Sequence, residues 1–112
     1  MKIEEIDKLV ILTVENLLFS EVFSTLKQEL TDGKGKGKNV ILDLSNLTEL
    51  QLSDLLTFQE LSDLHTNAKY SFVIVNDAIN HNDLPETLHV TPTLQEAKDI
   101  VAMEEIERDL GF

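Results

Sequence analysis

No cysteine occurs anywhere in the sequence. Disulfide bonds, thiol catalysis and cysteine zinc sites are therefore excluded, and nothing points to an oxidising compartment. Long hydrophobic runs are missing as well, since no apolar stretch approaches the roughly 18 residues of a membrane span. The opening Met1-Lys2-Ile3-Glu4-Glu5 lacks the basic-then-apolar order of a signal peptide, so a cytoplasmic location is the expectation. Basic residues are scarce: 9 Lys and Arg stand against 21 Asp and Glu, a formal net charge of -12. That charge repels nucleic acid and anionic membrane, keeps a bacterial-type cytosolic protein soluble and favours a basic protein as partner.

What is present suits one ordinary domain, residues 1–112. The chain is too short for a second core, and at this size about two-thirds of the unfolded surface is buried on folding without a metal or disulfide staple. Hydrophobic residues make up 42% and charged residues 27%, which separates the chain from disordered tails.

Three short runs, Leu9 to Val14, Val40 to Leu44 and Phe72 to Val75, are β-branched and apolar at successive positions. Strands inside a sheet covered on both faces need that pattern. Met1 to Ile6 is weaker, and the Asp7-Lys8 step turns it back as an antiparallel edge strand. Phe19, Val22, Phe23, Leu26 and Leu30 share one helical stripe, stopped by Asp32-Gly33 and capped by Asn16 or Ser20. Leu52, Leu55, Leu56, Phe58, Leu61 and Leu64 form a second helix starting at Ser53-Asp54 and ending near Thr66-Asn67. Beyond Asn76 the pattern dissolves, with one helical turn expected around Leu84 to Leu88 and an extended piece at His89-Val90. Thr93-Leu94-Gln95-Glu96 has the form of a capping box, and Leu94, Ala97, Ile100, Val101 and Leu110 give the last helix an apolar side. Strands alternating with helices imply a mostly parallel sheet with right-handed crossovers. Ile41, Leu56 and Val73 are expected to be fully buried. Asp43 and Leu44 should end a central strand beside the start of the second helix, where open α/β sheets carry their functional crevice.

Residues able to do chemistry are not assembled in any recognisable pattern. His65, His81 and His89 lack metal-ligand spacing, and Asp77, His81 and Asp83 crowd one loop without the glycine and closing glutamate of a calcium loop. His65, near a helix end, complements the dipole there. No serine sits in a nucleophile elbow, and no carboxylate pair can be assigned to a shared cleft. A non-enzyme with no metal and no cofactor is expected. The tract Gly33-Lys34-Gly35-Lys36-Gly37-Lys38 follows a helix and leads into a strand, the reverse of a phosphate-binding loop. It reads as a flexible exposed crossover; a small-anion or nucleotide site on Lys34, Lys36 and Lys38 is the alternative.

Taken in order, the strand end Leu42-Asp43-Leu44-Ser45, the eight-residue distance from Leu44 to Leu52 and the helix opening Pro92-Thr93-Leu94-Gln95-Glu96-Ala97 resemble the STAS family (sulfate transporter and anti-sigma factor antagonist). The likeness covers essentially the whole chain. It implies an α/β fold with a small mixed, mostly parallel central sheet, an N-terminal antiparallel strand and helices packed against the sheet. It also implies regulation by binding, with an anti-sigma kinase-like protein or another STAS chain as partner, and it is compatible with a homodimer. In the family's antagonists a serine at the start of the second helix, in a sequence like Asp-Ser-Ser-Gly-Leu, is phosphorylated by the partner kinase. Here the stretch reads Gln51-Leu52-Ser53-Asp54-Leu55, so the family's aspartate falls on Gln51, its phosphorylated serine on Leu52 and its glycine on Asp54. Ser53 keeps a serine one place late, either as a displaced acceptor or as a helix cap. The resemblance thus marks Asp43, Gln51, Leu52, Ser53 and Asp54 as the partner-binding candidates.

Overall fold

Each of the three apolar runs pairs on both edges and is covered on both faces, and the fold follows from satisfying them together. The computed structural model describes residues 2–15, 19–47, 50–79 and 81–111, apart from the side chains of Phe19, Ser20 and His81. Of the two candidate caps of the first helix, Asn16 lies outside the described residues and Ser20 falls within α1, its side chain not among those described. The elements are β1 (Lys2–Ile6), β2 (Leu9–Thr13), α1 (Phe19–Thr31), β3 (Asn39–Asp43), α2 (Leu52–Leu56), α3 (Gln59–Asn67), β4 (Phe72–Val75), a single 3₁₀ turn (His81–Asp83), β5 (His89–Thr91) and α4 (Leu94–Asp109). They build a five-stranded sheet of order β1-β2-β3-β4-β5. β1 runs antiparallel to β2 with Ile6 opposite Leu9, and the remaining neighbours are parallel. Asp7 makes the hairpin by adopting φ 53°.

Side chains alternate across a strand, so the sheet carries two cores. Val10, Leu12, Val14, Val40, Leu42, Leu44, Phe72 and Ile74 meet Val22 and Leu26 of α1 and Leu55, Phe58 and Leu61 from the α2–α3 region. The Phe23 and Phe58 rings stack at 6.1 Å and join α1 to the turn between α2 and α3. Ile11, Ile41, Val73 and Val75 face the other way, onto Ala97 and Val101 of α4. That helix opens as its sequence demands, with the Thr93 hydroxyl accepting the Glu96 N–H at 3.2 Å.

The structure corrects the sequence reading of several elements. The expected second helix is two, because Thr57 turns its hydroxyl onto the Asp54 carbonyl at 2.6 Å and the chain bends at Thr57-Phe58. The bend turns α3 so that Leu61, Ser62 and His65 face inward; Leu64 is left 61% exposed and Leu56 39% exposed. Leu56 is thus not a core residue. Leu110, placed on the apolar side of the last helix, is 66% exposed. The helical turn after β4 lies at His81–Asp83, ahead of the position expected, whereas the extended piece at His89 is strand β5.

Ile41 and Val73 are buried at 0% exposure. Ile41→Ala should lower stability by about 2 to 5 kcal/mol, whereas Leu56→Ala should stay within about 0.5 kcal/mol of the parent in denaturant unfolding. Equal losses in the two variants would overturn the division of the α2–α3 segment between core and surface.

Candidate functional site

At the carboxyl end of the parallel strands, backbone bonds level three strand ends: the Val14 N–H donates to the Asp43 carbonyl at 3.0 Å and the Leu44 N–H to the Val75 carbonyl at 2.9 Å. Asp43 is only 8% exposed, and its Oδ1 accepts the Ser45 N–H at 3.0 Å, which turns the chain off the sheet. Asn76, fully buried, fastens this turn from the neighbouring strand end. Its Nδ2 donates to the carbonyls of Leu44 and Leu47 at 3.1 and 3.2 Å, and its Oδ1 accepts the Ala78 N–H at 2.9 Å. The sequence reading missed Asn76. Its signal was an amide placed directly after the apolar run Phe72 to Val75, where a buried polar group must find partners.

The start of α2 sits beyond this scaffold. Gln51 is the N-cap residue, and Asp54 Oδ2 accepts the Gln51 N–H at 2.9 Å while the Asp54 N–H donates to the Gln51 carbonyl at 3.0 Å. Ser53 is exposed at the second helical position, so it is not the cap expected of it: the cap position falls two residues earlier, and the carboxylate three residues beyond the cap has the reach to close it. Leu52 and Asp54 are half-buried, and Leu47 and Leu50 pack onto the core. The exposed surface at this helix start consists of Gln51, Ser53, Leu56 and Thr57. Asp43 supports that surface from below through the turn and spends its carboxylate on Ser45. Asp54→Ala should therefore cost about 0.5 to 2 kcal/mol and Ser53→Ala less than about 0.5 kcal/mol, read by chemical denaturation. A larger loss at Ser53 would restore it as the cap.

The lysine tract lies at the opposite, amino end of the sheet. It is a hydrogen-bonded turn: the Gly35 N–H donates to the Glu29 carbonyl at 3.0 Å, the Lys36 N–H to the Gly33 carbonyl at 3.2 Å and the Lys38 N–H to the Gly35 carbonyl at 3.3 Å. Gly35 is buried close against Glu29 and Val40, and Gly37 takes φ +73°, so these glycines shape the turn instead of loosening it. Lys34 and Lys36 are exposed, and Lys38 pairs with Glu5 at 3.1 Å. Nearby, Arg108, the chain's one arginine, donates to Ser71 Oγ at 3.2 Å and Asn39 Oδ1 at 3.0 Å. Asn39 in turn donates to Glu105 at 2.6 Å and Ser71 to Glu104 at 2.5 Å, so the last turns of α4 are bolted to the first residues of β3 and β4. Among the described residues no group of three His, Asp or Glu side chains is placed to hold a metal, and no helix is long and apolar enough to cross a membrane.

His65 ties α3 to the same turn, its Nε2 lying 2.5 Å from the Lys38 carbonyl, to which it must donate. Only 6% exposed, the ring is held below its ordinary pKa of 6.5 by burial, against the weaker opposing pull of that carbonyl. The unfolded chain takes up this proton at a higher pH than the folded one. The stabilisation is complete above about pH 6.5 and is lost as pH falls through that value towards the folded pKa. The loss of stability between about pH 7.5 and 5.5 should accordingly be smaller in His65→Gln than in the parent. An unchanged pH dependence would show that His65 carries no linkage.

Neither a protein-family model nor a curated protein sequence matches the chain. Solved structures do. A serine-to-glutamate variant of RsbS from Moorella thermoacetica superposes with a TM-score of 0.67 at 20% identity, covering 96% of this chain and 97% of the other. The protein TM1081 gives 0.64 at 18% identity over 89% and 86%. A chain of the stressosome, described as a signal integration and transduction hub, gives 0.57 at 18% identity over 90% and 96%. At such identities the likeness speaks for architecture, and strand order, mixed sheet and helix placement agree with it along nearly the whole length: this chain has the STAS-domain fold.

Proposed function

We propose that residues 1–112 form a single regulatory STAS-type module that works by binding another protein, without catalysis, and whose contact surface is the start of α2. The observation that carries this reading is the exposure of Gln51, Ser53 and Leu56 on a short helix held from beneath by the buried Asp43 and Asn76. A rigid base under an exposed polar-apolar patch suits recognition, because little ordering entropy is lost on docking. Glu15 and Asp77 in the loops at this end and Asp54 in α2 make it acidic, so the partner surface should be basic or neutral. A STAS chain or an anti-sigma kinase-like protein, met in the cytoplasm, is the partner class.

The module works without the serine phosphoswitch. Leu52 stands at the family's acceptor position, and Ser53 is followed by Asp54, whose carboxylate already occupies the helix start. A phosphate adds about 1.5 to 2 further negative charges there, while the helix dipole offsets only about 0.3 to 1 kcal/mol. Small-anion or nucleotide binding on Lys34, Lys36 and Lys38 is less well supported, since Glu5 pairs with Lys38 and Glu29 accepts the Lys34 N–H at 3.0 Å.

Titration calorimetry against the STAS chains and kinase-like proteins of the same host should find a partner whose binding weakens about tenfold or more on Leu56→Asp and changes little on Ser53→Asp. Incubation with the kinase and ATP should leave Ser53 unmodified by mass spectrometry. Stoichiometric phosphate on Ser53, or loss of the partner on Ser53→Asp in a folded protein, would replace this reading with a displaced phosphoswitch.

A further inference from the structure

A second surface, away from the start of α2, carries an unexplained concentration of apolar groups. On α4 and its C-cap residue, Met103, Ile106 and Leu110 are 55%, 60% and 66% exposed at helical spacing, so one side of the helix shows solvent a stripe that its buried side, Ala97 and Val101, does not need. Beside the stripe runs a groove of about 410 Å³ between α4 and the segment leading into β5. Leu84, Leu88, Val90, Ile100 and Met103 give it an apolar lining. β5 is the last strand of the sheet, three residues long, so the groove lies along an edge that no further strand covers. Exposed apolar surface of this kind marks an interaction site in a protein that is otherwise strongly polar outside.

The charges around the groove select the occupant. Glu86, Glu104 and Glu107 line it and no lysine or arginine does; its one other ionisable group, His89, lies 3.3 Å from Glu104. A second copy docked face to face would bring two such sets of carboxylates together in a protein already at -12, an arrangement that like-charge repulsion opposes. An apolar segment bearing lysine or arginine meets the lining with its side chains and the carboxylates with its charges. A helix suits the site better than a strand, because β5 offers only three residues of edge while α4 presents its stripe over two turns, enough for a second helix to pack against. We propose that the groove between α4 and the Leu84–Val90 segment is a docking site for a basic amphipathic helix of a partner protein.

The test uses the full chain labelled with nitrogen-15 and a synthetic leucine–lysine amphipathic helix about 18 residues long, with a leucine–glutamate peptide of the same pattern as control. The lysine peptide should shift amide signals concentrated at residues 84–90 and 100–110, and the glutamate peptide should not. Met103→Asp should weaken the lysine peptide about tenfold although it adds negative charge, whereas Leu64→Asp, on the opposite face of the sheet, should leave it unchanged. Shifts scattered over the acidic surface of the parent, or equal or tighter binding by Met103→Asp, would reduce the interaction to charge alone and overturn the proposal. So would a parent dimer in sedimentation that Met103→Asp dissociates, which would make a second copy the occupant. The shift map of the parent needs no variant, and substitutions at the start of α2 leave this groove intact, so failure here is separable from failure of the α2 surface.

Discussion

Strands β2, β3 and β4 are apolar on both faces, and the need to cover that sheet twice governs most of the architecture. One face receives α1, α2 and α3, delivered by the first two of the three crossovers between parallel strands. The other has α4 to cover it, through Ala97 and Val101, small residues that let the helix lie close to Ile11, Ile41 and Val73. With so narrow an apolar contact, position must come from elsewhere. Arg108 supplies it: its planar fork spans Asn39 and Ser71 at the start of two adjacent strands, and Glu104 and Glu105 complete the bonds of those residues. The polar network fixes the far end of the helix while Thr93 fixes its start, and the outward side of α4 is free to serve something other than folding.

Parallel strands with returning helices also sort charge. α1, α4 and the α2–α3 segment taken together each run from the carboxyl end of the sheet to the amino end, so positive dipole ends gather at one pole and negative ends at the other. The side chains follow: Glu21, Asp54, Glu60 and Glu96 stand in first helical turns. Lys8, Lys38 and Lys69 immediately precede or approach strand starts, and Arg108 closes α4, so much of the scarce positive charge is spent at the amino pole. The lysine tract sits at that pole with its turn held by Glu5 and Glu29.

The sheet was legible in the sequence because double burial writes a short, β-branched apolar run bounded by turn residues, and length and β-branching separate it from a buried helix segment. The element order along the chain, the antiparallel first hairpin and the opening of α4 followed from the same kind of local signal; the order of strands within the sheet is given by the structure. The α2–α3 segment was harder. Leu52, Leu55, Leu56, Phe58, Leu61 and Leu64 fit one helix face, and only the Thr57 hydroxyl, competing for the Asp54 carbonyl, redistributes them between core and surface. Ser53 and Asp54 both qualify as capping residues by type, and which one caps depends on where the chain leaves the turn that Asn76 holds, a contact between residues about thirty apart. Asn39, Ser71 and Arg108 are likewise unreadable as a group, since they meet only after three elements have packed.

Acidic surface and apolar surface have different parts in recognition by such a molecule. A net charge of -12 accelerates encounter with any basic protein, but over more than about 8 Å it is screened at physiological salt and distinguishes poorly between basic partners. Discrimination falls to short-range contacts, where an apolar side chain is either matched by a pocket or left in water. The exposed Leu56 of α2 and the stripe on α4 are the surfaces proposed for such contacts, each set among carboxylates. On the proposed reading, selectivity falls to those few leucine, isoleucine and methionine side chains, with the surrounding acids setting the sign of the partner and the speed of its approach.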